Sequence, residues 1–310
     1  MKKIILGFLL VPAILSAQQL KWKNVDSLFA PLPQGVHVFY TNDSLEGRTN
    51  IAYYVEADLK NKNLNFTVDT TLNRRLTPAQ YFEKNQHPLV VVNCTFFEFV
   101  HSKNLNVVMK DGKLLGYNNH SIALKGKDTL MYSHPYGSAL GINKKRNADV
   151  AWLYTDSSKP VPLAYQHPIK FYKDSVTFIH KPRNESASKW KMKTAVGGGP
   201  VLLQDGEIKI SNNEEEKFSG KAISDKHPRT CMGYTKDHKL IVMVIQGRFP
   251  GKAEGATLTQ EAQMLKDVGC VEALNLDGGG SSCMLVNGKQ TITPSDKEGQ
   301  RPVPAVFIIR

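Results

Sequence analysis

Residues 255–282 read GATLTQEAQMLKDVGCVEALNLDGGGSS, and this stretch decides how the end of the chain is expected to fold. Thr257–Gln260 is a capping box, in which the Thr and Gln side chains bond the backbone of the first helical turn. Apolar side chains then recur on one helical face, and Gly269 provides the stop. The apolar run Val271–Leu276 is typical of a strand. The sequence therefore predicts a helix followed by a strand whose end carries Asp277.

The loop after this strand combines one carboxylate with glycines and hydroxyl groups. Glycine allows a ligand to approach the backbone N–H groups, and such groups can surround an anion. The candidate anion-binding residues of the loop are Gly278, Gly279, Gly280, Ser281 and Ser282. Asp277 would then be a nucleophile, a general acid or base, or a metal ligand. The alternative is a glycine-rich turn whose Asp bonds only the local backbone.

A second candidate segment follows the apolar strand Leu89–Val92 and begins with Asn93. Phe96 and Phe97 separate this amide from the carboxylate of Glu98. Aromatic rings cover the apolar faces of sugars, while amides and carboxylates bond their hydroxyl groups. The segment therefore suits a sugar pocket, although a strand end with its aromatic rings in the core would look the same.

Two further segments bring arginines close to strand ends. Arg229 and Thr230 begin one predicted strand, and Arg248 follows the end of the next. The planar guanidinium group holds phosphate through two parallel hydrogen bonds, so these arginines are candidate phosphate ligands. Surface arginines are common, however, and the spacing alone does not separate the two interpretations.

The N-terminus predicts export. Met1–Ala17 reads MKKIILGFLLVPAILSA, with two lysines, a short apolar stretch and small residues at its end. This is the layout of a signal peptide, and the apolar stretch is too short for the roughly 20 residues that span a bilayer. We expect a periplasmic or secreted protein without a later membrane span. Residues 18–84 are expected to form lead-in strands and a helix, and residues 85–310 the main domain.

Composition limits the classes of protein that the chain can belong to. The 310 residues are 41% hydrophobic and 22% charged, with a formal net charge of +12. These fractions exclude a disordered chain, a collagen and a coiled coil. The positive charge suits an anionic partner, but lysines are spread along the chain, which disfavours nucleic acid. Many short strands with two convincing helices predict an α+β fold, with a large mixed β-sheet and few flanking helices.

Cysteines and histidines do not form a metal-binding motif. No CxxC, HExxH or HxH pattern occurs, so no cofactor is expected, although a divalent cation beside Asp277 stays an open alternative. Four cysteines allow three disulfide pairings, between which the sequence does not choose, and a structural role is favoured. They are Cys94, Cys231, Cys270 and Cys283. The acidic segment 212–217 is predicted to be a solvated loop.

In their order along the chain, these segments resemble the phosphodiester glycosidase family. The resemblance covers about residues 85–310. Its clearest parts are Arg229–Gly233 and Asp277–Ser282 with the preceding helix and strand. Cys94 and Thr95 stand where the family pattern has glycines, and Gln246 stands where bacterial relatives often have Asp.

The resemblance implies an exported hydrolase of carbohydrate metabolism that cleaves a sugar-1-phosphodiester, such as one of N-acetylglucosamine. It implies that Asp277 acts at the anomeric carbon, with Glu98 as the candidate second carboxylate. Arg229 and Arg248 would hold the phosphate and Asn93 the sugar, and Thr230 is a further candidate substrate-binding residue. The alternative is a secreted glycan- or phosphoglycan-binding protein that keeps the scaffold without turnover.

Overall fold

The computed structural model describes residues 19–124, 130–177 and 186–310. The predicted signal peptide, residues 1–17, lies outside these ranges. The described α-helices are α1 (Asp26–Phe29), α2 (Pro78–Lys84), α3 (Asn212–Glu215) and α4 (Leu258–Asp267). Short 3₁₀ turns occur at Gly220–Ile223 and Gly279–Ser281. In the described ranges, none of the helices combines the length and apolar character that a bilayer crossing needs.

Strands make up most of the regular structure. In chain order they are β1 (Lys23–Asn24), β2 (Val36–Thr41), β3 (Ala52–Asp58), β4 (Phe66–Thr70), β5 (Val90–Asn93), β6 (Phe97–Glu98), β7 (Lys103–Asn104), β8 (Val108–Lys110), β9 (Lys113–Gly116), β10 (Ile122–Ala123), β11 (Tyr132–Ser133), β12 (Gly137–Ile142), β13 (Ala148–Tyr154), β14 (Leu163–Tyr165), β15 (Lys173–Asp174), β16 (Ser188–Lys189), β17 (Thr194–Gly197), β18 (Val201–Gln204), β19 (Glu207–Ile208), β20 (Arg229–Thr235), β21 (Lys239–Ile245), β22 (Cys270–Asn275), β23 (Met284–Val286), β24 (Lys289–Gln290) and β25 (Ala305–Ile309).

Three larger sheets hold most of these strands. Their orders are β1-β2-β3-β21-β20-β22-β18-β19, β16-β14-β13-β12-β17-β8-β9 and β24-β23-β5-β25-β4. The α+β class with few helices is confirmed. The strands are divided among several sheets, and the pairings between described strands in these three sheets are antiparallel. Short turns such as Asp205-Gly206 and Asn287-Gly288 explain this pattern, because a two-residue turn joins only antiparallel neighbours.

Strands from both ends of the chain share these sheets. Strand β3 pairs with β21, and β4 pairs with β25, the last described strand. Residues 18–84, expected as a lead-in, therefore supply two strands that pair directly with the C-terminal part. This long-range pairing ties the start of the described chain to the strands that carry the candidate site.

Side chains that alternate along strand β21 contribute to the two largest clusters of the hydrophobic core, one on each face of the sheet. Along β21, Leu240 and Val242 face a core that all three larger sheets share, whereas Ile241 and Met243 face the other side. There they pack with Leu265 and other apolar residues of α4. This alternation is what a strand buried on both faces produces. The sheets thus form a rigid frame from whose edges the loops project.

Several local predictions are confirmed. The predicted capping box is present: the Thr257 side chain accepts the N–H of Gln260, and the same arrangement begins α2, where the Thr77 side chain accepts the N–H of Gln80. Gly269 follows the end of α4 with a φ of +89°, as a helix stop requires. The cysteines are four buried free thiols. The solvated loop predicted at 212–217 is wrong, because the side chain of Glu215 is buried beneath the sheets.

Candidate active site

The candidate site forms where the ends of three strands meet. Strand β22 runs antiparallel to β20, so its carboxyl end lies beside Thr230 near the start of β20. The Leu276 N–H donates to the Thr230 carbonyl at 2.8 Å, and the Asp277 N–H donates to the Cys94 carbonyl at 2.8 Å. The backbone of Asp277 is therefore held from two sides, in a loop anchored to two sheets.

The Asn93 side chain holds this junction together. It is fully buried, and its Nδ2 donates to the Asp277 carbonyl at 2.5 Å. Its Oδ1 accepts from the Thr230 hydroxyl at 2.9 Å and from the Cys283 N–H at 3.1 Å. Asn93 and Thr230 thus use their polar atoms to join β5, β20 and the Asp277 loop. The structure brings both predicted residues to the site but places them behind it, where they position Asp277.

A cavity of about 280 Å³ opens in front of this junction. Its lining combines one carboxylate, three arginines, a histidine and two phenylalanines with the glycine loop. The lining residues are Phe96, Phe218, Ala222, His227, Arg229, Arg248, Leu276, Asp277, Gly278, Gly279, Gly280 and Arg301. Among the described residues of this lining, Asp277 is the one carboxylate. Such a cavity suits a small anionic ligand with an apolar face.

The three glycines make room for the groups that surround the loop. A Cβ on Gly278 would lie 2.7 Å from the Pro228 carbonyl oxygen, and one on Gly279 would lie 3.0 Å from an Arg248 guanidinium nitrogen. A Cβ on Gly280 would overlap the Arg301 guanidinium. Gly279 also has a φ of +60°, which favours glycine. The triple glycine therefore lets two arginines approach the backbone beside Asp277.

Three of the five N–H groups in residues 278–282 already donate to backbone carbonyls. The Gly279 N–H donates to the Pro228 carbonyl, the Ser281 N–H to the Gly278 carbonyl and the Ser282 N–H to the Gly279 carbonyl. The Ser282 side chain is fully buried, 3.2 Å from the Thr230 hydroxyl. The arginines, rather than these N–H groups, are left to face an anion in the cavity.

The three arginines of the cavity differ in whether a nearby carboxylate balances their positive charge. Buried Arg229 lies 3.9 Å from the fully buried carboxylate of Glu261 on α4, and its Nε donates to the Ala256 carbonyl at 2.9 Å. Arg301 pairs with Asp296 at 2.7 Å. Arg248 forms no ion pair within the described parts of the chain. Of the three arginines, Arg248 is therefore the one whose positive charge no described carboxylate balances, and this suits an anionic ligand.

Asp277 has an unusual environment for a carboxylate. Burial raises its pKa to about 6, against hydrogen bonding by Ser281 and the positive charges of Arg301 and Lys217. The Ser281 hydroxyl also accepts from Arg301 at 3.3 Å and so links the guanidinium to the carboxylate. A carboxylate with a pKa this close to neutral can take up a proton at physiological pH, as a general base must.

Glu98 lies apart from this cavity. It is on β6 and accepts hydrogen bonds from the backbone N–H groups of Val100 and His101, which lower its pKa. The His101 ring pairs with it at 3.0 Å. The structure thus gives Glu98 the role of closing a turn, and it does not bring this carboxylate to the lining beside Asp277.

Several residues of the site escaped the sequence analysis. Phe218 is one of them: its ring meets edge to face, at a centroid distance of 6.0 Å, the ring of Phe96, which the sequence had placed in a candidate sugar pocket, and both rings line the cavity. Lys217 stands beside them, with its Nζ 4.1 Å from the Phe96 ring centroid. Arg301 and His227 also line the cavity. The buried Nδ1 of His227 has no hydrogen-bond partner in the described ranges. For Arg301 and Lys217 no motif was available, since each is an isolated basic residue distant from Asp277 in sequence.

Replacing Gly280 by Ala is expected to displace the Arg301 guanidinium and raise the KM for an anionic substrate about tenfold. The unfolding free energy should fall by no more than about 1 kcal/mol, because a flexible side chain can move aside. Gly278→Ala is the comparison, since its methyl group meets the Pro228 backbone and should cost more stability. Urea unfolding and steady-state kinetics of both variants measure this contrast. Equal stability losses in the two variants would contradict it.

Within the described ranges, no cluster of three or more His, Cys, Asp or Glu side chains is arranged to hold a metal ion. The chemistry that the cavity offers from its own residues is that of one carboxylate facing several cationic groups. A carboxylate can serve as base or nucleophile, while guanidinium groups hold an anionic leaving group.

Comparison with known proteins relates the chain to one protein family. Residues 158–310 match the family model described as phosphodiester glycosidase. Mouse N-acetylglucosamine-1-phosphodiester alpha-N-acetylglucosaminidase is 28% identical over 102 residues, which are 33% of this chain and 19% of that protein. The match thus spans about a fifth of the length of that relative.

Two solved structures share the fold. The catalytic domain of the zebrafish N-acetylglucosamine-1-phosphodiester alpha-N-acetylglucosaminidase, auto-inhibited by its propeptide, has a TM-score of 0.59 and 20% identity, covering 94% of this chain and 88% of that one. A Burkholderia pseudomallei protein described as exported has a TM-score of 0.61 and 15% identity, covering 87% and 75%. At these identities the likeness concerns the fold. With the family match over its C-terminal half, the chain carries a phosphodiester glycosidase family domain.

Proposed function

We propose that this chain is an exported hydrolase that cleaves the glycosidic bond of a sugar-1-phosphodiester and releases the free sugar and a phosphomonoester. One observation carries the proposal: the Asp277 carboxylate shares a single cavity with Arg229, Arg248 and Arg301. A carboxylate is suited to the anomeric carbon, and guanidinium groups are suited to the phosphate attached to it. N-acetylglucosamine is the sugar that the names of the mouse and zebrafish relatives suggest.

In this mechanism the sugar packs against Phe96 and Phe218, and the arginines hold the phosphodiester. Asp277 either takes a proton from water that attacks the anomeric carbon, or attacks that carbon itself to form a glycosyl ester that water then hydrolyses to release the sugar. The bond between the anomeric carbon and the phosphate oxygen breaks, and its electron pair leaves with the phosphate. Glycosidases commonly use a second carboxylate as acid. A phosphate leaving group is acidic enough to depart without one, which agrees with the single carboxylate of the described lining.

Incubation with methyl-phospho-α-N-acetylglucosamine tests the proposal. Release of free N-acetylglucosamine together with methyl phosphate is the expected result. Binding of the diester without release would instead support the alternative, a secreted phosphoglycan-binding protein on the same scaffold. A panel of other sugar-1-phosphodiesters extends the assay, because the described contacts do not fix the sugar. Export itself is tested by the N-terminal sequence of the mature protein, which is expected to begin at Gln18.

Arg248→Met is expected to raise the KM for the diester ten- to a hundredfold with little change in stability. The uncompensated guanidinium is free to bind the phosphate, and a charged hydrogen bond of this kind contributes about 1.5–3 kcal/mol. Steady-state kinetics and thermal unfolding measure both effects. Arg74→Met, at an exposed arginine outside the cavity lining, is the control and should leave KM unchanged. An unchanged KM in Arg248→Met would remove this residue from the substrate site.

A further inference from the structure

Lys217 occupies an enclosed position next to the strand that carries Asp277. Its Nζ donates to the Gly198 carbonyl at 2.7 Å and lies 4.1 Å from the centroid of the Phe96 ring. Gly198 lies so close to the end of β22 that a Cβ there would overlap the Asn275 carbonyl oxygen. The ammonium group is therefore placed between an aromatic wall of the cavity and the segment that leads into Asp277.

The chain around Lys217 is firmly anchored. Two residues earlier, the buried Glu215 carboxylate accepts hydrogen bonds from several separate segments, including Trp152 at 3.1 Å and Ser211 at 2.6 Å. Glu216 then turns the chain with a φ of 46°. The Lys217 N–H donates to the Asn212 carbonyl at 3.2 Å. These contacts fix the direction in which the lysine side chain leaves the backbone.

Charged groups from several elements surround Lys217 and Asp277. Lys217 interacts with Glu215 and Asp277, while burial lowers its pKa to about 8. Asp277 interacts with Lys217 and, from the C-terminal segment, with Arg301, and it is bonded by Ser281. Lys217 and Asp277 form no ion pair within the described residues, since the ammonium group donates to the Gly198 carbonyl instead. Their charges attract each other across the poorly solvated interior. Arg229, Arg248 and His227 line the same cavity as Asp277 and belong to its electrostatic surroundings as well.

We propose that Lys217 is a positioning residue for Asp277: its ammonium group, held between the Gly198 carbonyl and the Phe96 ring, acts together with Arg301 to favour the ionised form of the Asp277 carboxylate. The role of this pair in turnover rests on the proposed function. Lys217 does not itself line the cavity, so it acts through Asp277 rather than on the substrate. An ionised Asp277 is the form required of either a base or a nucleophile.

The pH dependence of kcat/KM in Lys217→Met and Lys217→Arg tests the proposal. Removing the positive charge should raise the pKa of Asp277, so the acid limb of the Lys217→Met profile should move up by about one pH unit or more. For a shift of one unit the loss should be about fivefold at pH 6, should approach about tenfold at lower pH, and should nearly vanish above pH 8, where Asp277 is ionised with or without Lys217. Lys217→Arg keeps the charge and should keep the acid limb. An unmoved acid limb in Lys217→Met would overturn the proposal, because a purely structural role lowers activity at every pH alike.

A second measurement is independent of turnover. Lysines labelled with ¹³C-methyl groups by reductive methylation can be titrated by NMR, with Lys217→Arg identifying the resonance. Asp277→Asn should lower the pKa of Lys217, because the negative charge that favours the ammonium form is gone. Exposed Lys221 is the internal control and should not shift. If the protein cleaves no diester but this shift is found, the proposed function fails and the interaction between the two charges stands. An unshifted Lys217 overturns that interaction whatever the activity.

Discussion

Replacing Asp277 by Asn is expected to abolish turnover and, at the same time, to stabilise the fold. The amide has neither the basicity nor the charge of the carboxylate, so kcat should fall about 10³-fold or more. Stability should change in the opposite direction, because burial raises the pKa of Asp277 to about 6 and so disfavours its charged form in the folded state. The neutral amide avoids this penalty, which is on the order of 2 kcal/mol for a half-buried group.

The size of the stabilisation by Asp277→Asn depends on pH. Because the folded-state pKa of Asp277 is raised, its favourable contribution is present below the unfolded value near 4 and is lost as the pH rises through about 6. Wild-type protein and Asp277→Asn should therefore be equally stable near pH 4, and the variant should be more stable at pH 8. Urea unfolding at both pH values measures the difference. A variant that is less stable at pH 8 would show that the carboxylate has a structural role.

Replacing Glu215 by Ala is expected to have the largest effect on stability. Its carboxylate accepts from the Ser138 N–H and hydroxyl, the Trp152 indole, the Val201 N–H and the Ser211 hydroxyl, at 2.6–3.3 Å. Removing the acceptor leaves these donors buried and unpaired, which costs about 3–5 kcal/mol. Phe218 and Lys217 would lose their anchor as well, so kcat/KM should fall in the remaining folded protein.

The neighbouring Glu214→Ala is the matched control for this prediction. Glu214 lies on the same helical turn and is partly exposed, so its removal should change the unfolding free energy by no more than about 0.5 kcal/mol. Denaturant unfolding compares the two variants directly. Similar stabilities for Glu215→Ala and Glu214→Ala would mean that the buried carboxylate does not organise this part of the site.

The sequence predicted a local backbone motif correctly but predicted the solvent exposure of residues 212–217 wrongly, for a physical reason. The capping box at Thr257 depends on neighbouring residues alone, and the structure confirms it. The interpretation of 212–217 failed because three successive glutamates are normally solvated. Here the fold surrounds Glu215 with donors from β12, β13 and β18, and no local pattern contains that information.

Three features follow from the amino-acid sequence alone: the α+β class, the helix and strand that lead to Asp277, and the presence of Arg229 and Arg248 beside strand ends. Long-range packing brings Arg301 into the cavity of Asp277, places Lys217 against the Phe96 wall of that cavity, and sets Asn93 behind the cavity instead of in it. Short-range patterns report the backbone conformation, because that depends on a few adjacent residues. The composition of a cavity depends on which strand ends are packed together, and the pairing of strands distant in sequence sets this.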